Sequence, residues 1–465
     1  MPDETSAMLE RLRPAVFPDS ISRSAFAFQH KLAASQWLAR EKLEQRQLEL
    51  LKQLVSFAAR EAPFWRKRLS PDAIERAGDL TEAMTTLPVL SRSDVRDHKG
   101  ELRSANLPDG HQFAGERSSS GSTGMMVTIS ATNIALAVHH ALTFRGYLWA
   151  GCDFERGLAV IRRQKQNKAL YPKGAKLQRW GPRLVFPVPT GPAFHLTTLN
   201  TSLDEQWEWL GRVQPSYLLT YPSVARALAE RAAQEGNVPA SLDGITTIGE
   251  LVDDELRMLS VKHLRAPLQD IYTSEEAGVM ALQCPDSDSY HVQSESVIIE
   301  IVDEHNRACA PGEMGRVLVT TLMNYATPLL RYDIGDFAQV GSPCACGRGL
   351  PVLSRILGRR RNMLTLSDGR KFWPSFGARF MQKIVPITEH QFRQTALDVL
   401  EVWLVTENDI LPAQETELRK IVAASLPAPL EIQIRRVPGI PRPASGKHEE
   451  FMSLIGAEFS SDVKQ

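Results

Sequence analysis

A mixed α/β fold of two unequal domains, a large one over residues 1–358 and a small one over 359–465, is what the sequence predicts. The chain has 465 residues, more than one hydrophobic core fills. From about residue 125 to 360, apolar runs of strand length alternate with helical segments. After Gly358 the texture changes, and roughly 100 residues follow with a strand, helix, strand pattern of their own.

Residues 32 to 69 place Leu43, Leu51, Leu54, Val55 and Ala58 near helical spacing among many charges, which predicts one or two amphipathic helices in an outer layer. The heptads are not sustained, so a coiled coil is not expected. Further on, "RLVFPV", "SYLLTY", "SVIIEIVDE" and "RVLVTTL" read as strands and "SVARALAERAAQ" as a helix. "NRACAPGEMGR" supplies the Pro and Gly of a turn between two of those strands. In the small domain "VLEVWLVTE" reads as a strand, "AQETELRKIVAASL" as a helix, "LEIQIRRV" as a strand and "PGIPRPASGKHEE" as a polar loop.

Lys plus Arg and Asp plus Glu are both 54, so bulk charge gives no reason to expect a nucleic-acid partner. The first residues, "MPDETSAMLERLRP", carry acids and lack the apolar core of a secretion signal. No segment has the uninterrupted apolar length that crosses a bilayer. The expectation is a soluble cytoplasmic protein with no membrane partner. Five cysteines suit a reducing compartment better than a disulfide framework.

The stretch "FAGERSSSGSTGMMVTIS" carries Ser118, Ser119, Ser120, Gly121, Ser122, Thr123 and Gly124 ahead of an apolar run. Glycine lets backbone N–H groups approach a phosphate, and hydroxyls add donors. Met125 stands where the P-loop NTPases require lysine, which excludes that family at this position. A flexible Ser/Gly linker fits the same composition. Separately, Cys284 and His291 in "QCPDSDSYHV", with Cys344 and Cys346 in "SPCACGRG", supply three thiolates and an imidazole. That is a complete tetrahedral zinc set with no open position, hence structural, although four unrelated residues satisfy the same loose spacing. Cys152 and Cys309 have no such partners.

Downstream of the serine loop come, in order, "DIYTSEEAG", "PLLRYDIGD", "ILGRRRNML" and "PRPASGKHEEF", supported by "EAPFWRKRL", "TTLPVLSRSDVR" and "GEMGRVLVTTL". Together these resemble the adenylate-forming superfamily of acyl-CoA synthetases, and more narrowly the phenylacetate-CoA ligase family. The resemblance runs over most of the chain and implies the adenylate-forming ligase fold, with a small mobile C-terminal domain.

It also implies ATP, Mg²⁺ and coenzyme A as the cofactors, and a small carboxylic acid, with aromatic acids favoured, as the substrate. By the resemblance, Ser119, Ser120, Gly121, Ser122, Thr123 and Gly124 cover the ATP phosphates, with Met125 where the family commonly has lysine. Tyr272 lies near the adenine, and Glu276 is catalytic and holds magnesium. Thr273 and Glu275 depart from the family's usual glycine and hydroxyl residue. Asp336 accepts from the ribose hydroxyls, Arg359 contacts the nucleotide and Arg361 takes the hinge position. Lys447, on the small domain, is the catalytic lysine.

Some relatives have a similar Cys/His and Cys-x-Cys arrangement, which favours the zinc reading. The segment "AVHHALTFRGYLWAG" offers His139, His140, Phe144, Tyr147 and Trp149 as acid-pocket or core residues. Two other outcomes stay open: transfer of the acyl group to an amine or a carrier-protein thiol, and an inactive binding protein on the same fold. Glu276, Asp336 and Lys447 argue against the second.

Overall fold

The structure is a computed structural model and describes residues 19–119, 126–164, 168–182, 190–359, 363–372, 374, 376, 378–441 and 449–455. The run "RLVFPV" lies outside the described residues, as do Ser120, Gly121, Ser122, Thr123, Gly124, Met125, Arg361 and Lys447.

Six helices matter below: α1 (Ser20–Ser35), α2 (Arg40–Glu61), α3 (Arg92–Asp97), α4 (Asn133–Trp149), α5 (Pro222–Glu235) and α6 (Pro412–Ala424). In α2, Leu43, Leu51, Leu54, Val55 and Ala58 are all buried, as their spacing requires. Proline at the first turn and Gly236 in the left-handed region bound α5.

The strands are β1 (Phe113–Ser118), β2 (Thr128–Thr132), β3 (Leu158–Ile161), β4 (Ala175–Leu177), β5 (Ala193–Leu196), β6 (Tyr217–Thr220), β7 (Gly244–Ile248), β8 (Leu268–Ser274), β9 (Gly278–Gln283) and β10 (Tyr290–Val292). They continue with β11 (Val297–Val302), β12 (Met314–Thr321), β13 (Tyr332–Val340), β14 (Val352–Arg359), β15 (Leu364–Thr365), β16 (Lys371–Phe372), β17 (Ile387–Ala396), β18 (Val399–Thr406), β19 (Glu431–Arg436) and β20 (Phe451–Ser453).

Among the described residues, twelve strands form one sheet in the order β11-β12-β13-β14-β10-β9-β8-β7-β6-β3-β5-β4. From β8 through β7, β6 and β3 to β5 neighbours run parallel, whereas from β8 through β9 to β11 they run antiparallel. The change of sense falls at β8, so the end of β8 and its turn into β9 lie where a parallel sheet presents strand ends to a ligand. That turn carries Glu275 and Glu276.

One core packs α2 and the short segments after it, through Leu51, Leu54 and Trp65, against Val317, Val319 and Tyr332 of β12 and β13. A second joins α5, through Ala225 and Leu228, to Ala159, Leu218 and Ile245 of the parallel strands. A third, around Phe392, Leu400, Val402 and Leu418, serves a separate sheet ordered β19-β18-β17-β20 and its helix α6.

Candidate functional site

The segment "LPVLSRSDVR" is stitched to β13, because Leu90 N–H donates to the Arg331 carbonyl and Asp333 N–H donates to that of Leu90. Ser91 and Asp94 then form a reciprocal capping box, which starts α3 sharply and fixes Arg92 at its first position. The Arg92 guanidinium donates to Glu276 Oε1 at 2.9 Å, to the Tyr332 hydroxyl at 3.1 Å and to Ser119 Oγ at 2.7 Å. Its side chain is 12% exposed and that of Glu276 5%, so the pair is a buried one with little solvent screening.

Ser119 is the last described residue before the serine loop. It is anchored by a backbone hydrogen bond to Val127, and its Oγ also accepts from the Val127 N–H at 2.9 Å. The two sides of the loop are therefore drawn together at its base. Arg92 and Tyr332 both engage Oε1 of Glu276, and Oε2 has no hydrogen-bonding partner among the described residues. An oxygen left open in this way suits a hard cation.

A second constellation adjoins the first. Tyr272, near the end of β8, donates its hydroxyl to Asp336 Oδ2 at 2.8 Å. Asp336 on β13 is paired across the sheet with Arg359, the last residue of β14, whose Nε lies 3.6 Å from Oδ1. Burial, followed by the Asp336 carboxylate, holds the Tyr272 phenol well above its usual range, and Glu276 acts in the same direction. Burial and then Glu276 likewise push the Tyr332 phenol up, while Arg92 and Arg359 oppose them. Tyr272 and Tyr332 thus interact with the charges of both constellations. Ser119, Tyr272, Glu276, Asp336 and Arg359, scattered over 240 positions of sequence, come together around them.

Sequence reasoning missed Arg92 and Tyr332. Arg92 lay within the quoted "TTLPVLSRSDVR", and a basic residue directly after a capping serine was the available signal. Of the aromatic segment, Tyr147 packs edge-on against Trp180, Phe144 tilts against Phe154 and Trp149 meets the His291 ring. These three are core residues, whereas His139 lines a cavity beside Glu276.

Some distance along the sheet, Cys284, His291, Cys344 and Cys346 place one ligand atom each within 4.8 Å of one another. Cys284 Sγ is 3.7 Å from Cys344 Sγ, and Cys346 Sγ is 3.3 Å from His291 Nε2. Zinc–sulfur bonds of about 2.3 Å in a tetrahedron separate two sulfurs by about 3.8 Å, so the donor set has the required size. Burial lowers His291 to about 4, which keeps its imidazole neutral and able to coordinate. Burial also raises the Cys284 thiol to about 11.

The loop bearing Cys344 and Cys346 is fastened to the end of α1. Gly349 N–H donates to the Gln36 carbonyl, and Arg348 Nε donates to Gln36 Oε1 at 3.0 Å. The Arg348 guanidinium lies over both Trp37 and Trp149.

No protein-family model matches the chain. In sequence it is 27% identical over 346 residues to a phenylacetate-coenzyme A ligase of Thermus thermophilus, covering 71% of this chain and 73% of that one. It is 25% identical over 402 residues to a phenylacetate-coenzyme A ligase of Pseudomonas putida, covering 83% and 86%. In structure it is similar to a 2-hydroxyisobutyryl-CoA ligase in the postadenylation state with 2-HIB-AMP, with a TM-score of 0.70 at 18% identity over 90% of this chain and 91% of that one. The last likeness establishes the fold, and the sequence relatives narrow it. The chain therefore has the fold of the adenylate-forming CoA ligases and is similar in sequence to phenylacetate-CoA ligases.

Proposed function

We propose that this protein activates a carboxylic acid with ATP as an acyl adenylate, releases pyrophosphate and passes the acyl group to the thiol of coenzyme A. The observation that supports this most directly is the Arg92 bridge from Ser119, at the base of the serine loop, to Glu276. It puts a buried cation at the base of the serine loop, beside a carboxylate with one oxygen open to a metal.

In the first half-reaction a carboxylate oxygen bonds to the α-phosphorus while the bond to the β-phosphate oxygen breaks. In the second, the thiol sulfur bonds to the carbonyl carbon, AMP leaves with the electron pair, and the thiol proton is lost. A free carboxylate is a poor electrophile, which is why the anhydride comes first. Asp336 would accept from the ribose hydroxyls, Tyr272 would fix the orientation of that carboxylate, and Arg359 would offset its charge. Glu276 would hold Mg²⁺, which when bound neutralises phosphate charge. Ser120, Gly121, Ser122, Thr123 and Gly124 would cover the phosphates, and Lys447 would reach the charge that builds during adenylation.

The Cys284, His291, Cys344 and Cys346 cluster would hold a structural Zn²⁺, in keeping with its donor types and spacing. No helix among the described residues is long and apolar enough to cross a membrane. Five cysteines, an odd number in a long chain, suit the reducing cytoplasm, which is the proposed location. Pyrophosphate release measured over a panel of carboxylic acids, with and without coenzyme A, tests the whole reading. Acid-dependent release, with a thioester formed only when the thiol is present, is the expected result. Release with no thioester would favour an amine or a carrier-protein thiol as acceptor.

A further inference from the structure

The turn from β8 to β9, α4, β2 and the segment after β12 line a partly open cavity of about 50 Å³. Glu276 forms part of its wall, so it adjoins the site described above. Leu142, Val279 and Met323 supply an apolar side. Its polar lining includes Arg117, His139 and Thr321.

Two polar atoms in this wall, His139 Nδ1 and Thr321 Oγ1, are buried and have no hydrogen-bond partner among the described residues. Buried polar groups are nearly always satisfied, so two orphans on residues that line one small space call for an occupant that pairs with them. The His139 ring is uncharged at neutral pH, since burial and then Arg117 hold it down to about 3. A neutral imidazole donates or accepts according to its tautomer, and a threonine hydroxyl does both. The Arg117 guanidinium, with Glu275 as its charge neighbour, adds a cation to the same wall.

Size limits the occupant further. A cavity of about 150 Å³ holds benzene and one water occupies about 30 Å³ of liquid, so the space within these walls suits a group of a few heavy atoms and is smaller than an aryl ring requires. Gly278 preserves what space there is. Its φ of +75° is a conformation L side chains rarely adopt, and a Cβ there would lie 3.6 Å from His139 Nδ1.

We propose that the acid activated by this chain is short, about two to four carbons, and carries a hydroxyl or keto oxygen that hydrogen-bonds to His139 and Thr321. The inference rests on the reading of the chain as an acid-activating ligase and deepens it by naming the class of acid. It departs from the aryl acids that the names of the sequence relatives suggest. A site built to pair with a substrate oxygen rejects the analogue lacking it, because its own polar groups are then left stranded.

The test is ATP–pyrophosphate exchange by the full chain with matched acids: lactate and 3-hydroxybutyrate, their deoxy counterparts propionate and butyrate, and benzoate and phenylacetate. The hydroxy acids should exceed the deoxy acids by about tenfold or more in kcat/KM, with the aryl acids poorest. Thr321→Val and His139→Phe should bring the hydroxy-to-deoxy ratio close to one, and Thr321→Ser should keep it. Met323→Ala, which enlarges the cavity, should gain activity on benzoate, an outcome that misfolding cannot imitate.

Exchange driven best by an aryl or deoxy acid, or a ratio indifferent to both Thr321→Val and His139→Phe, overturns this inference and leaves the adenylation reading intact. Exchange with no acid at all removes the adenylation reading and this inference with it.

Discussion

At the scale of single residues, Arg92 has the most to explain. It stands where the capping box of α3 meets the start of the serine loop, and it satisfies a buried carboxylate, a phenol and a hydroxyl at once. Removing one partner of a buried pair leaves the other charge uncompensated, at a cost of about 3–5 kcal/mol. Arg92→Met should therefore lower the melting temperature, and should lower kcat/KM for ATP on the order of 100-fold. Arg92→Lys keeps the charge but loses the fork, and should fall between. If Arg92→Met melts and turns over like the parent, the bridge has no such role. His139 gives a second expectation. Its folded value of about 3 lies below the ordinary 6.5, chiefly through burial. A depressed folded value means that the unfolded chain takes up the proton first, so stability present above 6.5 is lost as pH falls from 6.5 toward 3. Melting temperature should drop across that window, and His139→Gln should flatten the drop. The type and order of Ser119, Tyr272, Glu276, Asp336 and Arg359 were legible because each belongs to a short motif. Arg92 and Tyr332 were not, because their importance comes from contacts across 184 and 56 positions of sequence.

At the scale of elements, the strands "SYLLTY", "SVIIEIVDE" and "RVLVTTL" appear as β6, β11 and β12, and "VLEVWLVTE" and "LEIQIRRV" as β18 and β19, each where an apolar run meets turn residues. The strand β17 gave no such signal, since Gln391 and Gln394, on its two faces, are buried polar side chains that break the alternation. Both donate their side-chain amides to backbone carbonyls, a pairing that only the assembled sheet discloses. The reversal of strand sense at β8 was equally hidden, because pairing direction leaves no local mark. The cysteine loop is where element and chemistry meet. Cys344 and Cys346 lie on the connection between β13 and β14, the strands that carry Asp336 and Arg359 as cross-strand partners. If zinc pins that connection, Cys344→Ser or Cys346→Ser should release it and lower the melting temperature by about 5 °C or more. Adenylation should change only as far as the Asp336–Arg359 register loosens. Stoichiometric metal by elemental analysis of the reduced parent, lost in the variants, is the expected result. A parent without zinc returns the four residues to an ordinary thiol and imidazole cluster.

At the scale of the whole molecule, the proposed two-domain division places Lys447 and most of the other site residues on different bodies. Lys447 lies between β19, which ends at Arg436, and β20, which begins at Phe451, so its segment is anchored at both ends to the C-terminal sheet. Glu450, beside that second anchor, is attracted by Arg226 of α5, whose guanidinium also pairs with Asp253 at 2.7 Å. Next to it Glu230 accepts from Gln382 and interacts with His390, while burial holds its carboxyl above the usual range. These contacts link the C-terminal sheet and its neighbouring segment to the helix that backs the parallel strands. Charge accumulates on phosphate and departing pyrophosphate only in the first half-reaction, so a lysine acting on it stabilises that transition state and not the thiol attack. Lys447→Ala should reduce acyl-adenylate formation on the order of 1,000-fold while leaving thioester formation from supplied acyl adenylate within about threefold of the parent. Arg226→Ala, which loosens the link without touching the reacting atoms, should lower the first rate far less and in the same direction. Single-turnover measurement of each half-reaction separates them. Equal losses by Lys447→Ala in both halves would mean that Lys447 serves folding or general binding, and the linked arrangement would then have no special tie to adenylation.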